Sequence, residues 1–371
     1  MRKDKVLFLT AYVPHKAAAG EKNTMIMLND LASSFDVDLI YYKYDYDSAY
    51  QPERDNVRVA GILKNSKWVK IRNILTFPFV HPVFSIRFSW NLLCKIRKLH
   101  DENKYKAIIF NHSNMFLYAK FLNRDVPKLL LCHDVIAQRV NRSSSWLMRK
   151  LCIASERFGL TMPNAHIFSF SQKDCDLIES VYGLPAKLNL DYIDESILRK
   201  TPTEIEDYFV LFGDWTRSEN LDGAMWLVNE VCPLINTKTT IKVIGRGFPL
   251  NVNAGNNLVS IEVLGFVDDP YQMLSNCRAL LTPLFQGAGI KVKVIEALAC
   301  GTPVVGTDIA FEGLPVKFSN MMLLSNDKES FAKNMNVKMN LEERKRIKKE
   351  FVEDYTSETI PQFLAKLLNK A

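Results

Sequence analysis

Short apolar runs alternate with segments of helical length along the whole of this chain. In its first half the runs fall at 6–10, 37–42, 57–62, 107–111, 128–132, 167–169 and 187–192. In its second half they fall at 208–212, 240–244, 259–264, 279–283, 303–307 and 321–324. Runs that stay apolar instead of alternating with polar residues predict strands of parallel sheets covered on both faces. Two such series in succession predict an α/β chain of two doubly wound, Rossmann-like domains. A stretch rich in Glu and Thr and holding Pro202 (194–207) separates them, so the first domain is expected at 1–197 and the second at 198–371. The tail (341–371) reads as helical, and its last helix is a candidate to pack back on the first domain. Ser171 ahead of Gln172, Lys173 and Asp174 marks a helix start. The opening segment sets basic residues before an apolar run, as a signal peptide does. That run, 6–13, is short, contains Thr10 and has no small-residue cleavage site after it, so it reads as the first buried strand.

In open parallel sheets, ligands bind beyond the carboxyl ends of the strands, and this rule selects the positions that matter. In the first half they are 14–23, where Ala19 and Gly20 open a helix, then Asn111, His112 and Ser113, and then His133 and Asp134. In the second half they are 213–220, the Gly245, Arg246, Gly247 turn, the Gly265, Phe266, Val267 turn, and 287–293. Two such edges facing each other would form an interdomain cleft suited to a pair of substrates. The most informative stretch is 283–305, PLFQGAGIKVKVIEALACGTPVV. Gly287 and Gly289 let backbone amides approach a ligand at a helix N-terminus, where the dipole favours anions. Lys291 and Lys293 add positive charge in the first turn, which suits a diphosphate, and Glu296 one turn on suits a sugar or ribose hydroxyl. Arg246 between two glycines suits a phosphate, a base or a solvent-facing turn. Asp134 either orients the imidazole of His133 or caps the next helix, and the cap is the preferred reading. His15, His81, His100 and His166 read as surface or structural residues.

Composition narrows the class. No apolar run approaches the ~18 residues that span a bilayer. Seven cysteines, odd in number, scattered and never spaced as CxxC, argue against a disulfide framework or zinc site and for a reducing cytoplasm. The net charge of +7 is uneven: residues 1–200 hold 30 Lys and Arg against 20 Asp and Glu, the remainder 18 against 21. Between Lys64 and His100 lie eight basic residues and no acid, interleaved with Trp68, Phe77, Phe79, Phe84, Phe88 and Trp90. This segment admits two readings. One is an anionic membrane surface, each nearby cation contributing about 1 kcal/mol; the other is a pair of packed helices with solvated basic faces. No nucleic-acid motif accompanies the charge, and nucleic acid is not an expected partner.

With these residues in view, the chain resembles the GT-B glycosyltransferases, and within them family 4. The likeness runs over nearly the whole length and is strongest in 212–220 (FGDWTRSEN), 243–247 (VIGRG), 264–268 (LGFVD), 282–305 and 131–139 (LCHDVIAQR). The resemblance implies a nucleotide-sugar donor in the second domain, an acceptor in the first, retention of configuration, and no metal or other cofactor. It implies that Glu296 meets the donor ribose and that His133 lies near the transferred sugar. Gly20 would approach the donor phosphates, and Phe266 and Val267 the base. Gly245, Ile290 and Arg217 are expected at the donor as well, and Asn111 and His112 at the acceptor. Three positions depart from the family. Ala288 stands eight residues before Glu296, where a first glutamate belongs, and Asp214 and Glu219 replace an Arg and a Lys. Lys291 and Lys293 are then expected to supply the displaced positive charge. A sugar transferase of surface-polysaccharide assembly, at the inner face of the cytoplasmic membrane, is the expected function. The lost charges motivate one alternative, a noncatalytic GT-B module that binds a glycan or a partner. A nucleotide-sugar epimerase is disfavoured, because the carboxylates it needs are not found.

Overall fold

The computed structural model describes residues 3–14, 19–44, 47–64, 67–140, 145–189, 193, 195–287, 290–314, 320–355 and 358–369. The chain folds as two units, Met1–Tyr192 with Ser357–Ala371, and Ile193–Thr356.

The first unit holds a seven-stranded sheet of β1 (Lys5–Thr10), β2 (Asp36–Lys43), β3 (Val57–Lys64), β4 (Ala107–Asn111), β5 (Lys128–Cys132), β6 (Ala165–Ser169) and β7 (Ala186–Leu188). The order is β3-β2-β1-β4-β5-β6-β7 and every pairing is parallel. Along β1, Leu7 and Leu9 enter one hydrophobic cluster, while Val6 and Phe8 enter another. Successive side chains leave a strand on opposite faces, so both faces are covered. That is why the run is apolar without a break. At the β2–β3 pairing the register slips, Leu39 facing Val59 and Ile40 facing Gly61. Ala60 is thus an extra residue in β3.

The second unit repeats the plan with β8 (Phe209–Phe212), β9 (Thr239–Ile244), β10 (Val259–Gly265), β11 (Leu280–Thr282), β12 (Val304–Gly306) and β13 (Met322–Leu324). Their order is β10-β9-β8-β11-β12-β13, again parallel throughout. Two doubly wound Rossmann-like domains were the expected fold class, and the observed strands lie within a few residues of the apolar runs. Only the run at 187–192 is short of its expectation, as β7 ends at Leu188 and 190–192 lie outside the described residues.

The division between units falls before the expected 197/198, and the intervening residues belong with the second unit. Lys348 Nζ donates to the carbonyl oxygens of Leu198, at 2.8 Å, and of Lys200, and Lys200 pairs with Asp269 at 2.6 Å. The final helix, Ile360–Leu368, joins the first unit. Thr359 caps it in a reciprocal box with Gln362, and Ile360, Phe363 and Leu364 are buried. Phe363 meets Phe168 edge-on at 5.0 Å.

One buried cation ties the second unit together. On the helix Leu341–Tyr355, Arg344 donates to the carbonyls of Ser275 (2.8 Å), Cys277 (2.7 Å) and Gly301 (2.7 Å), and to Thr302 Oγ1 (2.9 Å). Those carbonyls follow the ends of the helices Tyr271–Asn276 and Val292–Ala299, where helix dipoles favour positive charge. Replacing Arg344 by Ala strands three buried acceptors. It should lower stability to urea by about 3 kcal/mol, and a loss below about 1 kcal/mol would show that the tie contributes little.

Candidate functional site

The sheet order of each unit reverses beside its first strand, between β1 and β4 and between β8 and β11. Such a reversal leaves a crevice at the strand carboxyl ends.

In the second unit, the loops after β8, β9 and β10 are laced by main-chain bonds. Gly213 N donates to Ile244 O (3.1 Å), Trp215 N to Arg246 O (3.0 Å) and Gly245 N to Gly265 O (2.7 Å). Gly245 has φ +123°, and a Cβ there would lie 1.7 Å from Gly213 O. Its lack of a side chain is thereby explained by loop packing alone. The helix Val292–Ala299 buries Val294, Ile295, Ala297 and Leu298 and carries Lys291 at its N-cap. Gly287 has φ +126°, and a Cβ there would come within 3.4 Å of Lys291 Cε, so the lysine stem lies along the glycine. Lys291 is not a lone cation. Its Nζ stands 3.8 Å from the Glu312 carboxylate. Lys293 Nζ donates to Asn220 Oδ1 at 3.1 Å, and a Cβ on Gly213 would lie 3.5 Å from that nitrogen. Burial, with the charge of Lys291 added, lowers the Lys293 ammonium to about 8. Ile290 is half-buried, while Ala288 and Gly289 lie outside the described residues.

The other expected donor residues are placed as follows. Glu296 is only 8% exposed and accepts from the Tyr271 hydroxyl at 2.9 Å. Arg217 is exposed at the N-cap of the helix Ser218–Trp226, its Nε 4.0 Å from Asp214. The Thr216 hydroxyl, 2.7 Å away, and the Thr216 amide hold the Asp214 carboxyl below its usual range, so Asp214 keeps its charge. Phe266 is 66% exposed, with the Arg246 guanidinium 5.8 Å from its ring centre, and Val267 beside it is half-buried.

In the first unit, rings from four strand ends form a column. Tyr12, after β1, meets His112, after β4, edge-on at 4.9 Å. His112 stacks on His133, after β5, at 4.0 Å, and His133 stacks on Phe170, after β6, at 4.3 Å. Arg87 closes the Tyr12 end, its Cζ 4.5 Å from that ring. His112 holds φ +75°, a conformation that L residues rarely adopt and that strained functional backbone often shows. Asn111, expected at the acceptor, is held within the protein. Fully buried, its amide donates to Thr10 (3.2 Å) and Thr24 (3.0 Å), and its Oδ1 receives His133 Nε2 at 2.6 Å. The two hydroxyls orient the amide, the amide oxygen takes the Nε2 proton, and Nδ1 is left as the acceptor face. The expected helix cap at Asp134 is supplied instead by Glu156, which accepts from Ile136 N and Ala137 N, both at 2.9 Å. Gly20 lies in the first turn of the helix Ala19–Ser34, and 15–18 are outside the described residues.

Arg87, Tyr12, Phe170, Asn220 and Tyr271 are additions that the sequence did not single out. Arg87 is one basic residue among eight in its segment, and only burial distinguishes it. Among the described residues, no three His, Cys, Asp or Glu side chains gather to hold a metal ion.

Burial lowers His133 to about 3 and His112 well below its ordinary value, the charges of His133 and Arg87 adding to the latter. An unfolded histidine titrates near ~6.5, above both folded values. The stability these neutral rings contribute is therefore complete above that pH and is lost as pH falls towards 3. Thermal melts should fall between pH 7 and 5, and His133→Phe, which keeps a ring in the column, should flatten that slope by up to about 1.4 kcal/mol per pH unit. Equal slopes in both proteins would show that His133 titrates normally.

Comparisons with known proteins agree with this geometry. Residues 206–339 match the family model for glycosyl transferases group 1. An uncharacterized 44.6 kDa protein of the Klebsiella pneumoniae cps region is 22% identical over 358 residues, 89% of this chain and 90% of that one. Among solved structures, Anabaena HepE in complex with UDP superposes with a TM-score of 0.69 at 15% identity, covering 99% of this chain and 100% of that one. Sucrose-phosphate synthase of Thermosynechococcus elongatus does so with 0.67 at 14% identity, covering 99% and 98%. WaaG, a glycosyltransferase involved in lipopolysaccharide biosynthesis, gives 0.62 at 12%, covering 98% and 99%. The chain thus shares the two-domain GT-B fold of these structures, and its second domain is similar to the glycosyl transferases of group 1.

Proposed function

We propose that the chain moves a sugar from a nucleotide-sugar donor to a glycan or lipid-linked acceptor in surface-polysaccharide assembly, with retention of configuration. One observation carries the reading. Two ammonium groups, Lys291 and Lys293, stand over the glycines that open the loops at the β8/β11 reversal. A departing nucleoside diphosphate develops about two negative charges, and fixed cations with main-chain amides stabilise it where they form. Lys293 is assigned to that charge directly. Lys291 reaches it by exchanging Glu312 for phosphate, a partner of higher charge. Glu296, held by Tyr271, is assigned to the ribose. Phe266, Val267 and Arg217 are assigned to the base and the outer phosphate.

His133 takes a different part from a base. An imidazole lowered to about 3 is too weak to remove a hydroxyl proton, but Nδ1 accepts a hydrogen bond from a substrate hydroxyl. The acceptor proton then passes to the departing diphosphate oxygen. The acceptor oxygen bonds to the anomeric carbon as the carbon–phosphate-oxygen bond breaks on the same face, so charge and protons balance. The cps-region relative supports the polysaccharide setting, and the solved relative that holds UDP supports a nucleotide-linked donor. No described helix is long and apolar enough to cross a membrane. Trp68, Ile71 and Leu75 are exposed along the helix Lys67–Thr76, and Phe79 follows. An anionic bilayer is the surface we assign to this basic and apolar face, which places the enzyme at the inner leaflet of the cytoplasmic membrane.

The noncatalytic alternative, motivated by Ala288, Asp214 and Glu219, is disfavoured by the placement of Lys293 against Gly213. Thermal-shift screening with UDP, GDP and ADP should reveal one stabilising nucleotide. Lys291→Ala should lower turnover from the corresponding nucleotide sugar by orders of magnitude. A change within threefold, ~0.6 kcal/mol, would reject its role. Because Lys293 is charged only below about 8, nucleotide affinity should weaken as pH rises through that value. Lys293→Met should bind more weakly at pH 7 and lose the pH dependence; a wild-type affinity flat from pH 7 to 9 would contradict the assignment.

A further inference from the structure

The first unit contains a cavity apart from the ring column. It lies at the sheet edge, between β3 and the helices Lys67–Thr76 and Trp90–Asn103, with a volume of about 340 Å³. Three cations line it, Lys64, Arg72 and Lys95, and its lining includes no carboxylate. Ser89 and Asn91 add polar groups. Its size is at the lower end for small-molecule sites, which run from roughly 300 Å³ upward.

Two features shape this cavity, whose three cations are exposed at its rim. The extra residue Ala60 sets Gly61 opposite Ile40, and a Cβ on Gly61 would lie only 3.0 Å from Lys95 Nζ. The ammonium thus packs closely against the glycine, and a side chain there would push it outward. At the inner end, the Tyr42 hydroxyl is held against Arg87 O and, at 3.1 Å, the Tyr118 hydroxyl. Burial pushes Tyr42 up to about 12, so no negative charge arises there. A concave site with three cations and no counter-charge from its own lining takes a polyvalent anion.

Beside it runs an apolar path. Ile62, Leu63 and Val69 line the cavity, and from the same helix as Arg72 the exposed Trp68 (81%), Ile71 and Leu75 follow one another at helical spacing. An anion with a long apolar alcohol matches both parts. We propose that the cavity binds a phosphate ester, the phosphate or diphosphate joining the acceptor to its lipid, held by Lys64, Arg72 and Lys95 with the lipid chain along Trp68, Ile71 and Leu75. This rests on the reading of the first domain as the acceptor side.

Titration calorimetry of the full chain with geranyl diphosphate tests it. The triple variant Lys64→Ser, Arg72→Ser, Lys95→Ser should raise Kd at least tenfold. A control that removes equal charge elsewhere, Lys98→Ser, Lys106→Ser, Lys173→Ser, should stay within twofold. Gly61→Val, which alters no charge but displaces the Lys95 ammonium, should also weaken binding, and geraniol should bind at least tenfold more weakly than its diphosphate. The proposal is overturned if the cavity variant binds normally or if the control loses as much. It is equally overturned if the cavity variant keeps geranyl diphosphate yet no longer binds phosphatidylglycerol vesicles, because the occupant is then a bilayer headgroup. Nucleotide binding in the same preparations reads the glycosyltransferase assignment separately, so its failure is distinguishable from failure at this cavity.

Discussion

Every strand in both sheets pairs only with parallel neighbours, and this constraint organises everything else. A parallel strand cannot be closed by a tight turn, so each returns through a longer crossover, usually a helix, though β2–β3 and β9–β10 are joined without one. All strand carboxyl ends therefore gather on one edge of each sheet. The loops that leave that edge carry the glycines, imidazoles and cations. Helices and strands carry fewer, among them Lys293 and the buried Lys128, Arg344 and Lys348. Where the strand order reverses, two neighbouring loops diverge, and there the chain concentrates its polar groups.

The two edges handle charge in opposite ways. The second unit sets two ammonium groups close enough to interact, and burial, with the charge of Lys291 added, lowers the pKa of Lys293. Under the proposed function, an incoming phosphate would relieve that repulsion. The first unit instead keeps its titratable rings neutral. Stacking between Tyr12 and Phe170, with Arg87 at one end, leaves the half-buried His112 and His133 little to stabilise a positive charge. Neutral imidazoles offer hydrogen bonds without competing for protons.

The departures from the family pattern become intelligible in this light. Asp214, where a cation is usual, is held by Thr216 and keeps its charge. An anion there would oppose a diphosphate unless cations arrived from elsewhere. Lys293 approaches from the facing helix and ends against Gly213, the residue before Asp214, with Asn220 fixing its ammonium. Positive charge is thus supplied to the same loop from a different element of the fold.

The alternation of apolar runs and helical segments determined the two-sheet architecture, because strands covered on both faces must be apolar throughout. Glycine next to lysine at 287–293 marked the loop proposed to meet an anion, and Ser171 marked a cap that does accept from Asp174 N, at 3.0 Å. What the sequence could not contain was the identity of partners distant along the chain. Asn111 looked like a ligand contact and is a fully buried partner of His133; Asp134 looked like a cap, and that task falls to Glu156, further along the chain. Lys291 looked free and meets Glu312, while Arg87 and Lys95 were indistinguishable from solvated cations until burial and the bulge at Ala60 placed them. Periodicity is a local property written into neighbouring residues. Burial, pairing and the acidity of a side chain depend on which remote elements pack around it, and only the tertiary structure decides that.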